Sequence, residues 1–261
     1  MKKVFASVLV GLALGAVSAV SAIDMSVGAG GVFASDFGGQ GRVEKGKEEN
    51  VSYEERSTLP WIGGGVGAFL DVNYAEIGLG LTFTDGSPHI YAKEGSRDTS
   101  FTYKNVKMSA TLLNISVLGK YPVSLGTGIT VYPAAGIDYA LCISGVTKAK
   151  DERGKWNEEK WDGKKEIIDY GEGYTYEIEH MKAGDFSHLW IKFGAGCEYG
   201  LTDALFLRAQ ALYGIGFACK MINDEIDETK KRYKEWGEPA PDIKAALSHG
   251  LTVKVGVGFR L

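Results

Sequence analysis

Proline and cysteine are scarce in this chain of 261 residues, at 6 and 3. No stretch beyond residue 22 reaches the roughly 18 uninterrupted apolar residues of a membrane-crossing helix. Basic charge is not in excess: 29 Lys and Arg against 33 Asp and Glu leave a formal net charge of −4. Each shortage excludes something. An odd set of cysteines, Cys142, Cys197 and Cys219, is no framework for a small disulfide-stapled domain, and at most one pair is expected. A chain without a basic surplus is no phosphate-neutralising nucleic-acid binder. With 36 glycines beside so little proline and 44% hydrophobic residues, the composition suits many tightly curved strands rather than disorder.

What is present is alternation. In 249–261, Leu251, Val253, Val255, Val257, Phe259 and Leu261 alternate with Thr252, Lys254, Gly256, Gly258 and Arg260. A period of two puts the apolar set on one face of a β-strand. The same pattern recurs in 25–34, 61–72, 74–84, 106–121, 129–143, 186–199 and 204–217, giving eight strands. Each has about the length that a tilted strand needs to cross a bilayer. Pro133 interrupts the fifth, where it removes a ladder hydrogen bond. The connections alternate long and short, with short turns at 71–74, 122–128 and 200–203. The long ones are 35–60, 85–105, 144–185 and 218–248. A local hairpin is expected within 166–179. A short helix in the last connection would be capped by Asn223 and ended by Gly237 and Pro239.

One strand cannot say whether its apolar face meets a protein core or lipid; eight together discriminate. Glu76, Asp138, Lys192, Glu198, Arg208, Lys254 and Arg260 fall on the glycine-bearing faces, whose other residues are mostly Gly, Ala, Ser and Thr. A lipocalin-like soluble barrel would instead carry a Lys- and Glu-rich exterior. Aromatics flank the apolar faces: Phe33, Phe83, Tyr139, Tyr213 and Phe217 toward the long connections, Tyr121, Tyr199 and Phe259 toward the short turns. Two aromatic girdles, with long loops on one side only, fit an eight-stranded antiparallel up-and-down transmembrane β-barrel with four long extracellular loops. Lys2 and Lys3, the apolar stretch 4–17 and the small residues Ser18 to Ala22 read as an export signal cleaved after Ala22, leaving 23–261 as the barrel domain.

The whole of 23–261 resembles the small eight-stranded bacterial outer-membrane barrels, the OmpW, OmpX and OmpA-barrel group. The closest local match is Lys254 to Leu261, which looks like the terminal strand read by the outer-membrane assembly machinery. That group usually ends in Phe; Leu261 in its place points to a diderm lineage such as the spirochaetes. The resemblance implies a narrow channel for small or amphipathic solutes, with the charged residues above lining its lumen. A second reading, from composition, puts function in the long loops. Trp156, Trp161, Tyr174, Tyr176 and Trp236 would contact an extracellular ligand around a sealed barrel. The expected partners are outer-membrane lipid, the assembly machinery and that ligand, with no nucleic acid and no cofactor.

His89, His180, His188 and His249 all lie in loops or at strand ends. Ser187–His188 and Ser248–His249 are sequence neighbours, which point to opposite faces of a strand. No enzyme is expected from this arrangement. Asp224, Glu225, Asp227 and Glu228 lack the spacing of a calcium loop and read as the acidic first turn of the helix, so no metal is expected.

Overall fold

A computed structural model describes residues 24–48, 51–151, 153–169 and 175–261; the export signal expected at 1–22 lies outside them. The eight longest strands are β1 (Met25–Glu48), β2 (Val51–Val72), β3 (Ala75–Gly86), β6 (Val106–Lys120), β8 (Ile129–Lys150), β12 (His188–Gly200), β13 (Leu205–Gly216) and β15 (Ser248–Arg260). All pair antiparallel with their neighbours. The order runs β1-β2-β3-β6-β8-β12-β13-β15 and returns to β1, whose Ser26 faces Arg260 and whose Asp36 faces Gly250. The sheet therefore closes on itself and leaves no open edge in the ring.

The shorter elements gather at the end where the long connections lie. They are β4 (His89–Glu94), β5 (Arg97–Thr102), β9 (Trp156–Lys160), the hairpin β10 (Lys165–Asp169) with β11 (Thr175–Glu179), helix α1 (Lys220–Glu235) and β14 (Asp242–Ala245). Among the described residues, only β7 (Val123–Gly126) sits at the opposite end, paired with β8. The charged segment 35–60 is not an irregular loop. After a bulge between Asp36 and Gln40, β1 and β2 continue pairing to Glu48 and Val51. With β14 on one side and β4 and β5 on the other, they form a five-stranded sheet, β14-β1-β2-β4-β5, standing beyond the ring. Alternation was the expected signal for strands; here Lys and Glu occupy both faces, so the pattern is absent although the pairing is present.

Residue polarity is inverted relative to a water-soluble barrel. Val27, Ile62, Val66, Leu79, Ile115, Phe193 and Val257 are exposed on the outer face, whereas Glu76, Asp138, Lys192, Arg208 and Gln210 are buried inside. Inward glycines admit the large interior rings. A methyl group at Gly28 would stand 2.2 Å from the Phe69 ring, and one at Gly258 would stand 2.2 Å from that of Phe206.

Pro133 finds its explanation in the register. The β6–β8 ladder ends at Lys120–Ala134, and β7 resumes pairing with β8 at Val123–Val131. Pro133 lies in that gap, where its carbonyl accepts from Tyr121 N at 3.2 Å; a missing donor there costs no ladder bond. Two expectations are corrected. Helix α1 starts at Lys220 with Cys219 as its N-cap, one turn before Asn223, whose Nδ2 instead donates to Cys219 O at 3.0 Å. The early start buries Ile222 and Ile226 against Ile243 of β14, and it leaves no acid in the first turn. Gly237 ends the helix with φ +73°, as the sequence indicated. All three cysteines are free.

Replacing Gly258 by Leu forces the Phe206 ring out of the interior. The expected loss is about 2 kcal/mol or more of stability, the usual scale for overpacking, read as a lower urea midpoint by far-UV circular dichroism.

Candidate functional site

The interior divides into a charged lower half and an aromatic upper half. Below, Arg208 of β13 reaches across the ring. Its Nη2 contacts Asp71 Oδ2, its Nη1 lies 3.2 Å from Glu76 Oε2, and its Nε donates to Glu198 Oε1 at 3.1 Å. Lys120 Nζ pairs with Asp71 Oδ1 at 2.7 Å and more distantly with Glu198 Oε1 at 3.6 Å. Lys254 Nζ stands 3.3 Å from Glu76 Oε1, and Lys192 Nζ 2.7 Å from Asp138 Oδ2. Four carboxylates thus meet four cations. Such a set is tolerable in a closed interior only because each member has an opposite partner. Rings complete the packing. The Arg208 guanidinium sits 3.7 Å from the centroid of Phe69, with Tyr132 and Phe206 also beside it.

Of the seven charged residues singled out in the sequence, six lie in this interior. Arg260 does not. It is exposed at the short-turn rim, where its guanidinium lies 5.0 Å from the Phe206 ring centroid and Nη1 donates to Asp203 O at 3.2 Å. Two members were missed. Asp71, assigned to a turn, is the last inward residue of β2, two places beyond Phe69. Lys120 holds the same position on β6, two beyond Leu118. Both lie within the expected strands 61–72 and 106–121, and carrying the alternation through to their last residues would have found them.

Above the charges, Trp161 stacks on Phe186 with centroids 4.1 Å apart and meets the edge of Trp61 at 6.4 Å. Leu59, Met108, Ala110 and Cys142 complete this cluster. The expectation that Trp161 is a surface contact is therefore corrected: it is 4% exposed, and its Nε1 donates to Thr147 Oγ1 at 2.9 Å. The reason is Gly145, which leaves room for the indole to fold back over β8. Trp156 and Trp236 are at the surface, Trp156 beside Lys107 and Lys150 and Trp236 against Tyr233. Tyr176 belongs to β11, and Tyr174 lies outside the described residues.

Between the two plugs are two cavities of about 60 Å³ each, which share Asn114, Lys192 and Thr252 among their walls. At roughly 15 Å³ of such space per water, each has room for a few waters. His188 is buried at the upper one, its Nδ1 held by Phe186 O at 2.8 Å. Outside the ring, Gln40 Oε1 accepts from Cys219 N at 3.0 Å and ties the start of α1 to the β1 bulge. Burial there pushes the Cys219 thiol above its ordinary range.

Replacing Arg208 by Met leaves Asp71, Glu76 and Glu198 short of their shared cation. The expected cost is about 3–5 kcal/mol, as for one partner removed from a buried pair, measured by urea titration of the folded protein. Pairing that change with Asp71→Asn should recover part of the loss.

No protein-family model matches the sequence, and no curated protein matches it either. Solved structures similar in outline include three outer-membrane proteins. Neisserial surface protein A is 9% identical, over 91% of this chain and 97% of that one, with a TM-score of 0.37. The outer membrane protease OmpT from Escherichia coli is 10% identical, over 92% and 96%, with a TM-score of 0.35. The translocator domain of the autotransporter NalP from Neisseria meningitidis is 13% identical, over 100% and 98%, at 0.25. Likenesses this distant assign no activity. They do correct one expectation: a protease stands among them, so the exclusion of catalysis drawn from the sequence is withdrawn.

Proposed function

We propose that this chain is an integral outer-membrane β-barrel with a sealed lumen, whose working part is the platform of strands and helix at its long-connection end. The observation that carries this reading is the inverted polarity. Apolar side chains cover the outer face of a closed ring, while ionised ones fill the inside. Water gives no reason for such an arrangement. A bilayer does, because a closed ring satisfies every backbone group internally and lipid takes the apolar face. Phe33, Phe83, Tyr139 and Tyr213 at one end, and Tyr74, Tyr121, Tyr199 and Phe259 at the other, are all exposed, as girdles at two interfaces would be. The export signal at 1–22 and the terminal strand, as a contact for the assembly machinery, belong to the same proposal.

The sealed lumen is favoured over a solute channel by its two plugs. Arg208 and its partners fill the lower half, and the Trp161–Phe186 stack the upper. Eight strands leave an interior that side chains can fill, and here they occlude it on either side of two cavities of about 60 Å³ each. The likeness to OmpW-type barrels is thereby one of architecture. The long connections then present the surface available to an extracellular ligand, with Trp156 and Trp236 its exposed aromatic contacts.

Two measurements test this. Cold electrophoresis of the refolded protein should show a heat-dependent mobility shift, and its absence would count against the membrane reading. In planar bilayers the folded wild type should be silent. Trp161→Ala combined with Arg208→Ala removes material from both plugs, and discrete current steps should appear. Steps from the wild type would return the lumen to a channel.

A further inference from the structure

One large concavity lies outside the lumen. It is a groove of about 940 Å³ on the outer face, just beyond the long-connection end of the apolar belt. Its floor is set by register. Phe33, Gly64, Phe83 and Thr111 form one row across β1, β2, β3 and β6; the next outward row is Ser35, Ile62, Asp85 and Ser109. Beyond that, Lys107 of β6 stands directly opposite Lys148 of β8, which in turn faces Glu158 of β9. Two residues along a strand advance about 6.6 Å, so these rows lie where headgroups lie when Phe33 and Phe83 mark the edge of the hydrocarbon.

The groove combines three features. Ile62 and Phe37 are exposed apolar surface, continuous with the belt below. Lys107 and Lys148 are like charges placed opposite each other, an arrangement that costs stability unless an anion lies between them. Glu158 pairs with Lys148 at 3.2 Å, whereas Lys107 has no ion pair among the described residues, only the Trp156 ring 5.6 Å away. Asp85, hydrogen-bonded by Ser109, supplies negative charge one row nearer the membrane. Two cations facing the acids Asp85 and Glu158, with the buried Asp36 behind them, match neither a purely anionic headgroup nor one without charges.

We propose that this groove binds a membrane lipid whose headgroup carries both a phosphate and an ammonium. The phosphate sits between Lys107 and Lys148, the ammonium turns to Asp85, and an acyl chain runs down over Ile62 toward Phe33 and Phe83. The assignment rests on the membrane reading above and adds a lipid class and a location to it.

The test uses the full chain in nanodiscs containing equal amounts of phosphatidylethanolamine and phosphatidylglycerol. It is then released into mild detergent, and retained lipid is counted by native mass spectrometry. The wild type should keep one phosphatidylethanolamine in preference to phosphatidylglycerol. In Lys107→Ala/Lys148→Ala that retention should fall about tenfold, the scale of losing one charge-assisted hydrogen bond. Lys107→Arg/Lys148→Arg should keep it. Asp85→Asn should remove the preference between the two lipids while retaining total phosphate. Equal retention of both lipids by the wild type overturns the proposal, as does undiminished retention in the double alanine variant. Cold electrophoresis separates the two ideas. A heat-shifted, disc-inserted protein without lipid preference defeats the groove alone, whereas a protein that neither inserts nor shifts defeats the membrane reading and the groove with it.

Discussion

Closure of the ring is the constraint on which everything else depends. Once β15 pairs with β1, every ring strand has two neighbours, and the backbone no longer needs water at any edge. That frees the outer face to be uniformly apolar. It also traps whatever the inner faces carry. Eight strands enclose little space, so inward residues meet across the ring rather than facing solvent. A charge placed there must find its opposite within the same interior. The four-on-four set around Arg208 and Lys192 is the solution this sequence uses.

The interior is accordingly built of two unlike materials. Ion pairs hold the lower half, and their geometry is fixed by aromatic rings laid against inward glycines, Phe69 over Gly28 and Phe206 over Gly258. Aromatic stacking holds the upper half, where Trp161 returns from a connecting segment to close the ring from above. The segment that carries Trp161 is thus part of the seal as well as part of the platform. The five-stranded sheet and α1 extend the ring without closing, and Arg42 joins them through Glu225 at 2.8 Å.

Much of this was legible in order. Period-two alternation marked all eight ring strands, because an apolar exterior and a confined interior impose opposite demands on successive residues. It failed where that contrast ends. Beyond Asp36 both faces of β1 and β2 meet solvent or mixed surfaces, so Lys45, Lys47, Glu54 and Glu55 carry no periodic signal although they are in strands. Asp71 and Lys120 were missed for a related reason: turn-forming residues follow each, and charge beside a turn reads as surface.

The sequence by itself determined the number of ring strands, the face each turns outward, the short-turn and long-connection ends, and six of the charges inside. Those follow from local spacing, and a strand's spacing is independent of its partners. Tertiary structure alone decided which charge meets which, that Arg260 stays outside, and that Trp161 is a plug rather than a contact. These depend on register across the ring and on a segment folding back from 14 residues away in the chain, from Thr147 to Trp161. No periodicity along one strand records such a distance, because it is set by where the neighbouring strands place their side chains.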